Sequence, residues 1–432
     1  MRRFGLLVLC LWVTGCGNTE PESVEPVAKQ ISLDALAREY VVLELAMGEI
    51  DSNHVDAYSG PEDLRTQAAA LAWTLDDIDR RAADLKLRLN NASIGDASRL
   101  RIDALLERLT ALEMRVAINQ EQFVSFDEEA KALFGAAAPD YDADHFDSIL
   151  AEIAALLPGD EPLPVRVDAF KSQFDVPADK VDAVFVAAMA ACREKTLAYV
   201  DLPANESFTI EYVNDKPWSG YNWYKGDAHS LIQVNTDFPL AISRAVDLGC
   251  HEGYPGHHTF NALLEREMLK GKGWIEYSLY PLFSPQSLIA EGSGNYGIEL
   301  AFPGDERVQF EQEVLFPLAG LDATQADQYY QLLELLQGLS YAGNEAARDY
   351  LNGDITRDEA IEFLVKYSLS EPERAAQRVR FFDTYRSYVI NYNLGKDLVA
   401  AHVERGDADQ DLRWARFVEM LSTPTSASDL ER

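Results

Sequence analysis

The sequence predicts a mainly α-helical protein, a large two-lobed helical architecture with one small antiparallel β-sheet near its middle. Three observations lead there. Apolar residues recur at spacings of three and four from Ile31 to about Tyr199, the period of amphipathic helices. Between Asp201 and Asn235 the pattern changes to alternation among β-formers, and the helical period resumes at Pro239 and runs to the C-terminus. A hydrophobic fraction of 47% over 432 residues supplies one large core or two moderate ones. With 38 Lys+Arg against 72 Asp+Glu, the net charge of −34 repels phosphate backbones and argues against nucleic acid as a partner. The same charge disfavours strongly acidic ligands.

Taken in order, the chain opens on Met1-Arg2-Arg3, an apolar run from Phe4 to Val13, and Thr14-Gly15-Cys16. Two cations, a short apolar stretch and small residues make an export signal over 1–15, too short to span a bilayer core of roughly 30 Å. Val13-Thr14-Gly15-Cys16 resembles the lipobox of bacterial lipoproteins. That resemblance implies lipidation at Cys16, a flexible spacer over 16–30, and a domain tethered to a membrane of the bacterial cell envelope outside the cytoplasm. Residues 31–200 then read as a helical N-terminal region, with a loop from Pro158 to Pro164 and a helix opened by Pro177-Ala178-Asp179. Residues 201–432 form the second region. Strands are expected at Ser207–Val213, Tyr221–Tyr224 and Ser230–Asn235, and Thr356 with Glu359 has the capping-box spacing.

Of the four cysteines, Cys192 and Cys250 lie beyond the signal and anchor, where they form either a disulfide or two buried thiols. Adjacent helical side chains point about 100° apart, so Cys250 is not expected to share a ligand site with His251.

Three of the seven histidines fall together, in Cys250-His251-Glu252-Gly253-Tyr254-Pro255-Gly256-His257-His258. A His followed directly by Glu, with further His within two turns, suits a hydrolytic zinc site: imidazole ligands on one wall and a carboxylate beside a water. The usual helical spacing between two such His is four residues. Here it is six or seven. Six residues of regular helix turn the side chain about 120° away and about 9 Å along the axis. Pro255-Gly256 must therefore break or bulge the helix to return a later His beside His251. His257 is favoured as second ligand over His258, which is left for the surroundings of the site or for substrate. The third ligand is expected at Glu291, which precedes Gly292, Ser293 and Gly294, small residues that permit close approach. Two His and one Glu leave a fourth position for water, as in catalytic sites. Glu252 is the general base, and Asn295, one turn after Glu291, can fix the tautomer of a ligand His.

The His-Glu-x-x-Pro-Gly-His-His run, followed about forty residues later by Ala290-Glu291-Gly292, resembles the bacterial domain-of-unknown-function 885 family, whose plan is similar to helical gluzincins such as the Taq-type carboxypeptidases. The resemblance covers residue 200 onward and, more loosely, the N-terminal helices. It implies a zinc metallopeptidase with His251, His257 and Glu291 as ligands of one Zn2+ and Glu252 as base. Ser293 stands where family members usually carry Trp. The family's Pro-Gly-Gln triplet is replaced by Arg386-Ser387-Tyr388, although Tyr392 and Gly395 match the end of that segment. A tyrosine hydroxyl is expected to stabilise the oxyanion, Tyr392 first and Tyr388 second. Arg380 and Arg386 are candidates for a substrate carboxylate. Asn235, at the end of the last expected strand, is a candidate for contact with substrate backbone.

These readings predict a membrane-anchored, extracytoplasmic zinc peptidase acting on a peptide or other small amide. Two alternatives stand beside it: a zinc hydrolase of another amide or ester, and a non-catalytic lipoprotein that keeps the fold as a binding module.

Overall fold

Helix α1 (Leu33–Ile50) shows the expected spacing at work, with Leu36, Tyr40, Val41, Leu43 and Met47 buried along it. The computed structural model describes residues 32–92, 99–216, 218–237 and 239–431. The signal at 1–15, Cys16 and the spacer to residue 30 lie outside the described residues. After α1 come β1 (Val55–Tyr58), α2 (Glu62–Leu71), α3 (Leu75–Asn90) and α4 (Arg99–Asn119). Ala72 in the left-handed region ends α2, and Thr74 with Asp77 forms the capping box that starts α3. Helices α5 (Phe126–Phe134), α6 (Ala143–Leu156), α7 (Leu163–Lys171) and α8 (Val181–Leu197) follow. Pro164 belongs to the first turn of α7, where its missing N–H leaves no bond unmade, so the expected loop is shorter by two residues.

The small sheet lies where the sequence places it, as β2 (Ser207–Val213), β3 (Gly220–Gly226) and β4 (His229–Asn235) in the order β2-β4-β3. Strands β3 and β4 are an antiparallel hairpin turning through Gly226, Asp227 and Ala228, all at positive φ. Because β4 inserts between the other two, the chain crosses from β2 to the far edge before returning, and β2 runs parallel to β4. Ile232 and Val234 of the central strand are fully buried.

The helical period resumes in α9 (Ser243–Leu248), a π-helical turn (Gly249–Gly253) and α10 (His257–Leu264). Strand β5 (Leu279–Pro281) then pairs antiparallel with β1. No strand was expected before residue 201; segments of four and three residues are too short to display a two-residue period. Helix α11 (Pro285–Ala301) is buried on nearly every side. It is followed by α12 (Glu306–Phe310), α13 (Phe316–Ala319), α14 (Ala326–Gly338), α15 (Ala342–Asn352), α16 (Arg357–Tyr367), α17 (Pro372–Tyr385), α18 (Ile390–Glu404), α19 (Gln410–Leu421) and α20 (Ala427–Leu430). Thr356 and Glu359 form the expected capping box of α16.

One core gathers the apolar faces of α1 to α4, and a larger one runs from α4 to α20. The change of pattern at residue 200 lies inside the larger core, and Leu33–Arg432 is one compact unit. Helices α11 and α18 cross so closely that a Cβ on Gly292 would lie 2.4 Å from the Gly395 carbonyl. Cys192 of α8 and Cys250 of the π-helical turn are joined as a disulfide, with 5.4 Å between their Cα atoms. Among the described residues no helix is long and apolar enough to cross a membrane.

Candidate metal centre and its cleft

His251 sits in the middle of the π-helical turn and His257 begins α10. Between them Tyr254-Pro255-Gly256 reverses the path, and the Gly256 N–H donates to the Cys250 carbonyl at 3.0 Å. A Cβ on Gly256 would fall 1.9 Å from the His251 carbonyl oxygen, so only glycine fits this return. The break places the His251 and His257 rings at right angles with centroids 4.6 Å apart.

Helix α11 supplies the third group. Glu291 Oε2 lies 3.3 Å from His251 Nε2 and 3.9 Å from His257 Nε2. The candidate ligand atoms of all three residues lie within 4.8 Å of one another. Glu291 Oε2 is buried and has no hydrogen-bond partner, whereas Oε1 accepts from the Tyr388 hydroxyl at 2.9 Å. A buried carboxylate oxygen left open towards two imidazole nitrogens is a donor set that fits a zinc ion.

Asn295 sets the tautomer. Its Nδ2 donates to the Tyr392 carbonyl at 2.8 Å, so its Oδ1 is the acceptor for His251 Nδ1 at 3.1 Å. Nδ1 therefore carries a proton, and it is Nε2 that faces Glu291. A Cβ on Gly294 would lie 2.8 Å from the His251 ring, which explains the small residue there. Burial, with the neighbouring His251 charge, pushes His257 down to about 4, so its imidazole is neutral at pH 7.

Glu252 lies beside the cluster, 5% exposed and without a hydrogen-bond partner for its carboxylate among the described residues. Burial pushes it up to about 7, against the attraction of His251 and with the repulsion of Glu291. Gly220 of β3 leaves it room, since a Cβ there would meet the carboxylate at 3.1 Å. The Asn222 amide holds the Glu252 backbone carbonyl at 2.6 Å.

A cleft of about 1200 Å³ opens onto these groups. Tyr392 lines it, and its hydroxyl has no protein partner among the described residues. Tyr388 also lines it, but its hydroxyl is committed to Glu291. Of the three-stranded sheet, the strand at the cleft is β3, an edge, which contributes Gly220, Tyr221, Asn222 and Tyr224.

Several expected positions lie elsewhere. His258 is fully buried and faces away from the cluster, with Nδ1 on the Ser230 hydroxyl at 2.8 Å and Nε2 on Glu206 at 3.3 Å. Asn235 is on the central strand, not the edge, and its amide donates to the Lys216 and Trp218 carbonyls at 3.0 Å, fixing the link before β3. Arg386 turns inward to the fully buried Glu129, Nε to Oε2 2.6 Å, and is consumed by that pair. Arg380 is exposed on the far face of α17. Ser293 is buried with its hydroxyl on the Ala290 carbonyl and does not line the cleft.

Further cleft residues escaped the sequence, Asp56, Arg378 and Tyr385 among them. Asp56 of β1 lines the cleft, accepts from the Tyr221 hydroxyl and is pushed by burial up to about 6. Arg378 and Tyr385 line it from α17. Their spacing with Arg374 and Phe381 marks a single helix face, a signal that was present in the sequence.

Against solved structures, the chain aligns with one described as "the putative lipoprotein from Colwellia psychrerythraea" at a TM-score of 0.53, with 13% identity over 93% of this chain and 76% of that chain. The two chains share a fold. Trypanosoma cruzi metallocarboxypeptidase 1 aligns at a TM-score of 0.44, with 14% identity over 90% of this chain and 94% of that chain. No family model and no curated protein matches the chain.

Proposed function

We propose that the protein is a zinc-dependent peptidase tethered through Cys16 to a bacterial envelope membrane. The observation that carries the reading is the convergence of His251, His257 and Glu291 beside Glu252, a buried carboxyl group with no partner. A zinc ion bound by those three residues would act as Lewis acid on a water and on the peptide carbonyl. Glu252, near 7, accepts the proton of the attacking water and returns it to the leaving amine. The Tyr392 hydroxyl, unpartnered in the cleft, donates to the developing oxyanion. Tyr388 steadies Glu291, and Asn295 keeps His251 in the tautomer that presents Nε2. The free edge of β3 can pair with an extended peptide and lay its carbonyl across the centre. The Cys192–Cys250 bridge supports an oxidising compartment outside the cytoplasm.

The test is cleavage of a mixed peptide pool, followed by mass spectrometry, before and after chelation. Cleavage should vanish with the chelator and return with one equivalent of zinc. Undiminished cleavage by metal-free protein, or none with zinc restored, overturns the reading.

A further inference from the structure

In a chain of net charge −34, the cleft is lined by cations as well as by carboxylates such as Asp247 and Asp397. Arg374 and Arg378 line it from α17, Lys171 from the end of α7, and Arg244 from α9. Several buried guanidinium groups are matched by carboxylates: Arg386 by Glu129, Arg307 by Asp247 and Glu311, Arg101 by Glu276. Arg378 is not. Among the described residues it has neither a hydrogen bond nor an ion pair. Its guanidinium lies over the Phe381 ring at 4.9 Å and the Phe382 ring at 5.7 Å, and burial holds its pKa below the ordinary value. Lys171 likewise has no ion pair, and burial and then the nearby Arg374 lower its pKa.

A partly desolvated guanidinium without a counter-charge is unfavourable until an anion completes it. The aromatic shelf that carries Arg378 continues towards the centre. Phe381 lies 6.5 Å from Tyr392, and Tyr392 lies 5.8 Å from Tyr388, whose hydroxyl is on Glu291. The cation is therefore next to the reacting position along the cleft rather than within it. Net negative charge repels anions at long range, but salt screens this beyond about 8–10 Å, so that close to Arg378 its own unpaired charge decides.

We propose that Arg378 binds a carboxylate of the substrate, so that the cleft selects peptides bearing a free carboxylate close to the cleaved bond. Cleavage rests on the peptidase reading above; binding does not. The carboxylate is either the C-terminus or an acidic side chain, and the fork-shaped donor set of Arg fits both.

Equilibrium binding to the Glu252→Gln protein separates the cases. The probes are a neutral tripeptide acid, its C-terminal amide, and Glu and Gln versions of that amide, each measured with zinc and after chelation. One anionic probe should bind on the order of 10- to 100-fold tighter than its neutral partner, the range of a charge-assisted contact, with or without metal. Acid over amide identifies a terminal carboxylate, and Glu over Gln identifies a side chain. Arg378→Gln should abolish that discrimination and Arg378→Lys should keep part of it, a contrast that general misfolding does not produce. Equal binding of charged and neutral probes, or discrimination unchanged in Arg378→Gln, overturns the proposal. Discriminating binding by a zinc-loaded parent that cleaves nothing would leave this subsite standing and remove the peptidase reading instead.

Discussion

His257 and His258 are neighbours in the chain, yet one faces Glu291 and the other faces Glu206 and Ser230. Their substitutions should separate cleanly. His257→Gln should release the metal with little loss of fold, while His258→Gln should retain stoichiometric metal and lower stability by about 1–3 kcal/mol through broken buried hydrogen bonds. Metal content and thermal melting of both variants check this; metal loss in His258→Gln alone would reverse the assignment. Asn295→Ala frees the His251 tautomer and should weaken metal affinity by about 10- to 100-fold, read by competition with a chelator. The cluster was legible because His251, Glu252 and His257 lie on one short segment whose proline and glycine announce the break. Arg378, the residue of the proposed subsite, was not singled out in the sequence, although Arg380 two positions on was. Arg380 is about 200° away on the same helix and meets solvent, and only the neighbours packed on α17 decide which arginine faces the cleft.

At the scale of elements, the centre depends on close approaches that a single methyl group would prevent. Gly256→Ala puts a Cβ 1.9 Å from the His251 carbonyl oxygen. It should cost ~3 kcal/mol or more and abolish metal binding, because no flexible side chain can yield there. Thermal melting and metal analysis together would show it; a stable Gly256→Ala protein that still binds metal contradicts the described return. The disulfide ties the π-helical turn to α8 across 58 residues of chain. Reduction should lower stability by about 4 kcal/mol on loop-closure grounds, measurable as a shift of the denaturation midpoint. The sequence left this bridge open, since two cysteines so far apart meet only when α8 and the π-helical turn pack. It likewise hid β1, and with it Asp56, because strands of four and three residues acquire their partners from the tertiary fold alone.

For the whole molecule, the helical class and the position of the sheet were readable from periodicity, whereas the insertion of β4 between β2 and β3 was not. Strand order depends on where the 214–219 link crosses, and no local pattern records that. The acidic balance acts at this scale through a few carboxylates held charged. Burial opposes the charge of Glu206, but hydrogen bonds from His258, Tyr254 and Arg193 hold it at about 2, below its ordinary 4.5. A depressed carboxylate pKa stabilises the fold above the unfolded value, and the contribution is lost as pH falls from 4.5 towards 2. Thermal melting of the parent should therefore drop more steeply across that window than melting of Glu206→Gln; equal slopes would show that Glu206 does not carry this stability. The central claim joins one metal to one base, and the most direct measurement is zinc content beside peptide cleavage in the parent and in Glu252→Gln. The account predicts one zinc per chain in both proteins and cleavage by the parent alone. Parent protein that binds no zinc when supplied with it, or equal cleavage by the two, would contradict it.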